Sequence, residues 1–165
     1  MSDDPTLLHA RVRESLDASG ITYEVLACAP ELADTAEFCA HYGIAAEDAC
    51  NAILVAVKSE PRRYVACLVR ADSKLDVNRK VAALTGVKRL SFASAEETAE
   101  KTEMLIGGVS IAGLPADMPI YLDARVMERA HIIIGGGNRH SKVRVAPGEL
   151  LKLPNASVED IGVPR

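Results

Sequence analysis

A single α/β domain organised around a mixed, mostly antiparallel sheet is the fold class this sequence predicts, on three observations. Two dense apolar runs, NAILVAVK (residues 51–58) and RYVACLVR (63–70), are joined by only four residues, SEPR. Runs this continuous belong to strands covered on both faces, and the short charged joint suits a hairpin. Helical segments with capping signals alternate with strand-like ones, the layered pattern of α/β domains. The chain of 165 residues, 48% apolar and 25% charged, is long enough to bury a core without metal or disulfide staples. No repeat or low-complexity linker divides it. One domain is expected over 1–165, with its core at about 5–153 and a tail at 154–165.

Taken in order, Leu7, Leu8, Val12 and Leu16 recur at helical spacing behind Asp3, Asp4 and Pro5, and Gly20 closes that helix. Residues 21–28 alternate Ile21, Tyr23 and Val25 as a strand. A helix capped by Asp34, with Phe38 and Cys39 on its apolar face, runs to Gly43, and 44–50 adds a further helical turn. Beyond the hairpin, 74–86 reads as a helix with Asp76 as N-cap and Gly86 at its end, and 88–93 as a short strand. Ser94 and Glu97 form a capping box for a helix over 94–103. Glycines and prolines make 104–119 a loop. Strands follow at 119–124, 131–134 and 141–146, with a short helix or turn at 124–130. A last helix covers 146–153, with Pro147 in its first turn, and the tail from Pro154 is expected to fray.

The formal net charge of −4 argues against a wholly basic nucleic-acid coat, and no DNA partner is expected; a local basic patch remains compatible with it. Cys28, Cys39, Cys50 and Cys67 include no C-x-x-C pair, and Cys67 in YVACLV reads as a small buried hydrophobe. No metal site and no cofactor are expected, because His9, His41, His131, His140 and the cysteines show no ligand spacing. The opening MSDDPTLLHARVRESL lacks a continuous apolar core, and no stretch approaches membrane-spanning length. A cytoplasmic location with reduced thiols, away from membranes, is therefore expected.

The stretch HIIIGGGNRHSKVRV, residues 131–145, runs apolar strand, Gly135, Gly136 and Gly137, then Asn138, Arg139 and His140, into a second strand. Val143 and Val145 would face a core, with Lys142 and Arg144 directed away. Glycines let main-chain N–H groups approach a ligand, so the turn is a candidate binding wall; an ordinary hairpin with a permissive turn is the competing reading. Its spacing fits neither nucleotide-binding glycine fingerprint.

The order of NAILVAVK, RYVACLV, KLDVNRKVAALTG, IGGVSIAGLP, PIYLDA and IIIGGGNR resembles the YbaK/EbsC family, whose domain is also the editing insertion of bacterial prolyl-tRNA synthetases. The resemblance covers roughly residues 5–153. It implies a barrel-like mixed sheet surrounded by helices, and metal-free hydrolysis of the ester of a mischarged aminoacyl-tRNA. The implied partner is the tRNA 3′ end, with an aminoacyl-tRNA synthetase or a second copy of the chain as a further candidate. Such chemistry needs a positioned water, donors for a developing oxyanion and a pocket sized to the amino acid. By resemblance, Gly107, Gly108 and Ser110 of IGGVSIAG lie against the ester, with the Gly135 to Gly137 turn as another wall; Arg139, which leaves that turn beside the expected ester site, is the candidate for contact with ribose or phosphate.

Two positions depart from the family pattern. The lysine usual at the start of the first central strand is Asn51 here, and Lys58 stands about 23 Å away at roughly 3.3 Å per residue. The usual acid after the last glycine turn is Lys142. Either Lys142 takes over the cationic role, with Asn51 orienting ester or water, or the chain is a binding module that has lost hydrolysis. A third reading is a pocket for a free amino acid or small acyl ester without tRNA. Other polar residues have ordinary readings beside functional ones. His140 reads as a turn residue, Asp123 as a cap, and Ser110 lacks a nucleophile elbow. Tyr23 is either a rim residue or a pocket residue. Arg62, Arg63, Arg70, Lys74, Arg79, Lys80, Lys88 and Arg89 form either a solvated surface or a face for tRNA phosphates, with acids interspersed.

Overall fold

The computed structural model describes residues 4–165; Asp3, expected ahead of the first helix, lies outside the described residues. The chain runs α1 (Ala10–Ala18), β1 (Tyr23–Ala27), α2 (Thr35–Tyr42), then the hairpin β2 (Cys50–Val57) and β3 (Arg63–Arg70). β4 (Ser73–Leu75), α3 (Ala82–Thr85), β5 (Leu90–Phe92) and α4 (Ala95–Thr102) follow. After the long loop come β6 (Ile120–Asp123), β7 (Ile132–Gly135), β8 (Ser141–Val145), β9 (Ala156–Glu159) and β10 (Gly162–Pro164). Among the described residues, no helix is long and apolar enough to cross a membrane.

The hairpin sits at the centre of a five-stranded sheet ordered β5-β2-β3-β6-β9, antiparallel on the β5 side and parallel from β3 through β9. Its near-continuous apolar sequence follows from burial on both faces. Val55, Val57, Val65 and Cys67 pack with Val77, Val81, Leu90 and Ile161 on one side. Leu54, Ala66 and Leu68 pack on the other, with Leu16, Ile132, Val143 and Leu150. A side chain such as Leu68, fully buried, contributes roughly 1.5–3 kcal/mol of transfer free energy.

A second, antiparallel sheet, β1-β8-β7, turns one face to that core and the other to α2, where Leu26, Cys28, Ala33, Phe38 and Ile133 form a separate cluster. The two sheets meet at one parallel bridge, Ala49 to Ile133. The mixed, mostly antiparallel architecture with surrounding helices is present, but its strands stand in three sheets and do not close into a barrel.

Several local expectations change. The residues before Asp76 are strand β4, paired with β10, and the helix starts only after Asp76, whose carboxylate accepts the Arg79 N–H at 3.1 Å. Its first turn, Val77–Val81, is a wide π turn. Pro147–Lys152 is a 3-10 helix rather than an α-helix. Asp34 opens α2 without capping it, because its carboxylate pairs with Arg139 instead. The tail does not fray: β9 extends the central sheet, β10 pairs with β4, and Ile161 is buried. Asp123, buried at the end of β6, holds the tail by accepting the N–H groups of Ile161 and Gly162, each at 3.0 Å.

Candidate active site

The incomplete junction of the two sheets leaves β2 with an open edge. β5 pairs with β2 over Val55 to Val57 only, and the last bond on that side runs from the Ala93 N–H to the Leu54 carbonyl at 2.9 Å. At the other end, Ala49 bridges to β7. Main-chain groups alternate in direction along an antiparallel strand. Ala52, two residues from Leu54, therefore turns its N–H and carbonyl away from β3 into the interval where no strand faces it. A cleft of about 590 Å³ occupies that interval, with Thr35, Asn51, Leu54, Phe92 and Ile106 in its wall. It continues into a recess of about 80 Å³ that adds Cys50, Gly135 and Lys142.

Asn51 and Lys142, the two departures from the family pattern, thus line one recess. Lys142 alternates with the core-facing Val143 and Val145 on β8, so it points to the α2 side of the sheet, as the sequence pattern requires. That side is covered, leaving Lys142 only 7% exposed. Its ammonium donates to the Ala33 carbonyl at 2.7 Å and to the Gly107 carbonyl at 3.4 Å, and lies 5.5 Å from the centre of the Phe38 ring. Burial pushes the Lys142 pKa below the ordinary lysine range; among the nearby charges, Cys28 opposes that shift and Arg139 adds to it. An ammonium has three N–H donors, so one remains beyond these two carbonyls. Asn51 is fixed by Thr35, whose hydroxyl donates to its side-chain carbonyl. The amide's own N–H donors are left for the recess, and Thr35, unread in the sequence, joins the site from the first residue of α2.

The glycines let backbone pack on backbone. A side chain on Gly135 would run into the Val109 carbonyl, and one on Gly108 into the backbone of Asn138. The Gly137 N–H donates to the Gly108 carbonyl at 2.7 Å, and the Gly108 N–H to the Leu105 carbonyl at 2.9 Å. The two glycine segments pack backbone on backbone, and these donors are used within the protein. Gly107 and Gly135 line the recess, and Gly135, Gly137 and Gly108 form the seam between the two segments, while Gly136 sits against Ser141 of β8.

Residues 29–153 match the sequence profile of the aminoacyl-tRNA editing domain. The chain belongs to this family. A curated relative, EbsC of Enterococcus faecalis (strain ATCC 700802 / V583), named as a candidate Cys-tRNA(Pro)/Cys-tRNA(Cys) deacylase, is 26% identical over 97 residues. That match spans 59% of this chain and 58% of the relative's length. Among solved structures, a candidate trans-editing enzyme for prolyl-tRNA synthetase superposes with a TM-score of 0.81 at 25% identity, covering 99% of each chain. A hypothetical protein of known crystal structure gives 0.83 at 25% identity, covering 93% of this chain and 99% of that one.

In this editing domain the remaining residues singled out by sequence fall outside the recess. Arg139 donates to the Pro30 carbonyl at 2.9 and 3.2 Å, and to Asp34 and the Ile106 carbonyl at 3.2 Å each. Its guanidinium ties the start of α2 to the loop that carries Gly107. Ser110 is buried and accepts the Ala112 N–H at 3.2 Å. Tyr23 stands beside α1, where its hydroxyl donates to Asp17 at 2.8 Å; burial first, then that carboxylate, push its pKa up to about 12. The His140 main-chain N–H donates to Asn138 in the exposed turn. Among the described residues, no three His, Cys, Asp or Glu side chains are grouped to share a metal ion. Thr35, the Ala52 main chain and the apolar rim of Phe92 and Ile106 were missed by the sequence reading. Only Thr35 carried a signal there, as a hydroxyl at a helix start.

Proposed function

We propose that this chain is a trans-editing aminoacyl-tRNA deacylase in which Lys142 supplies the cation that the family usually places at position 51. The observation that carries the reading is the convergence of Lys142, from β8, on the same recess as Asn51, from β2. A water attacks the ester carbonyl carbon, and the carbonyl electron pair moves onto its oxygen. The free N–H of Lys142 and the amide of Asn51 stabilise that oxyanion, while the Thr35 oxygen orients the water. Collapse breaks the bond to the ribose oxygen, which takes a proton from the attacking water through solvent. The products are a free amino acid and uncharged tRNA. A recess of about 80 Å³ favours a small amino-acid side chain, and one added methylene costs binding by roughly 1–3 kcal/mol in such a pocket. The test is a panel of mischarged tRNAs, with deacylation expected for one or more small amino acids. No hydrolysis above buffer at micromolar protein would end this reading.

A second reading, a binding module without hydrolysis, has one observation in its favour. The Lys142 ammonium already bonds two protein carbonyls and could act solely as a staple between α2 and the Gly107 loop. A large gain of hydrolysis by Asn51→Lys from a silent parent would support this alternative, and a loss from an active parent would reject it.

A further inference from the structure

The basic residues grouped in the sequence separate once folded. Arg62 pairs with Glu97, Arg70 with Asp72, and Lys80 with Asp160. Lys58, Lys88 and Arg89 are exposed and join none of the ion pairs among the described residues. Lys58 and Arg89 are also directly opposed. The β2–β5 register runs from Val55–Phe92 to Val57–Leu90, and the Lys58 N–H continues it by donating to the Arg89 carbonyl at 2.9 Å. The Lys58 and Arg89 side chains leave the same face of the sheet end, and like charges facing each other across strands are destabilising. In a chain of net charge −4, the position of these cations is informative. β5 is the edge strand of the central sheet, and Phe92, three residues from Arg89, stands 58% exposed in the wall of the cleft. At 3.3 Å per residue, about 10 Å of strand separates Phe92 from the paired cations. Strand alternation turns Phe92 to the Val55 face while Lys58 and Arg89 leave the Leu54 face, so these groups flank the free β5 edge from its two sides.

We infer that the β5 edge is a docking strip for the single-stranded 3′ end of tRNA, with Phe92 stacking a base and Lys58, Lys88 and Arg89 holding phosphates. A single strand following the edge could stack a base on the ring and set its phosphates against the cations, the pairing of aromatic and positive groups that binds single-stranded nucleic acid without reading its sequence. Continuity with the ester cleft favours RNA over an acidic protein, because the terminal nucleotide of the substrate must lie at that cleft. The inference rests on the deacylase reading for its partner, but its test needs no catalysis.

The experiment measures binding of uncharged tRNA, and of a short single-stranded RNA matching its 3′ end, by fluorescence anisotropy across a salt series. Parent protein is compared with the triple variant Lys58→Gln, Lys88→Gln, Arg89→Gln. A control pair, Lys74→Gln with Arg79→Gln, removes exposed cations from elsewhere on the surface. The triple variant is expected to lose at least about tenfold in affinity at low salt and to reduce the log–log salt slope by about 2, at roughly 0.7 per phosphate contact for single strands. The control pair should leave the slope unchanged. Phe92→Ala should weaken single-strand binding about tenfold with the slope retained. Hydrolysis of an aminoacyl-adenosine should be unaffected by the triple variant, which separates this strip from the chemistry of the recess. No RNA binding by the parent, an unchanged slope in the triple variant, or an equal loss in the control pair would each overturn the inference. The second outcome would leave an acidic protein surface as the partner of these cations.

Discussion

Lys142 is the residue at which charge, burial and the proposed chemistry meet. If its ammonium stabilises the oxyanion, Lys142→Met should lower kcat/KM by about 10²–10³-fold, the usual loss for one such donor. Activity of the parent should fall on the alkaline side with an apparent pKa below the ordinary lysine range, because the stabilising form is the protonated one. Stability gives an independent reading. In the unfolded chain the lysine titrates near about 10.4, while burial holds the folded value lower. The fold therefore disfavours the proton, and the Lys142 contribution to stability rises as pH climbs from the lowered value towards that of the unfolded chain. Urea unfolding across that window should show the gain in the parent relative to Lys142→Met. Exchanging the two family departures is a second test. Asn51→Lys alone sets two cations in one recess and should impair hydrolysis, whereas Asn51→Lys with Lys142→Glu recreates the usual layout and should recover it. Deacylation by the double variant no better than by the single one would refute a shared site. Sequence could name both departures but not their proximity, since 91 residues separate Asn51 from Lys142 and only the junction of two sheets brings them together.

Among the elements, those with strong local chemistry were the legible ones. Ser94 and Glu97 form the expected capping box, and Gly43 and Gly86 end their helices in the left-handed conformation. Glu97 does more than cap. Its carboxylate accepts from the Tyr64 hydroxyl at 2.6 Å and from Arg62 at 2.8 Å, fastening α4 to β3. The Tyr64 hydrogen bond, followed by the Ser94 N–H and Arg62, holds its pKa down to about 2. The stabilisation is thus present above about 4.5, where the unfolded group is ionised, and is lost as pH falls through about 2. Glu97→Gln should remove that part of the acid dependence in urea unfolding between pH 5 and 2. The tail is not legible in sequence because Pro154 and Asn155 precede β9, Gly162 and Pro164 are themselves the ends of β10, both strands are too short to show a period-two pattern, and their anchor, Asp123, is remote in sequence. Asp123→Ala strips both buried N–H groups of their acceptor and should cost roughly 3 kcal/mol. Hydrogen exchange should then open β9 and β10 first.

At the scale of the whole molecule, the cleft exists because the two large sheets, though packed on a common core, share one strand bridge and leave the β2 edge open between that bridge and β5. The fold class and the glycine segments were readable, yet the seam was not. Glycine in a sequence signals a missing side chain without saying whether ligand or protein fills the space. Here protein fills it at Gly135, where an added methyl would meet the Val109 carbonyl, a main-chain atom that cannot rotate aside. Relief requires the 104–119 loop to lift from β7, and that loop carries Ile106, Gly107 and Val109 into the recess. Gly135→Ala should therefore destabilise the protein by about 1–3 kcal/mol, the typical cost of overpacking. It should also depress hydrolysis at temperatures well below its own unfolding midpoint, because the recess loses its wall before the fold is lost. Gly148→Ala is the counterpart: nothing stands within 4 Å of the added methyl, and its backbone is not left-handed. That substitution should be neutral or stabilising by up to about 1 kcal/mol, with activity unchanged. Equal behaviour of the two variants in urea midpoint and hydrolysis rate would show that the seam does not shape the site.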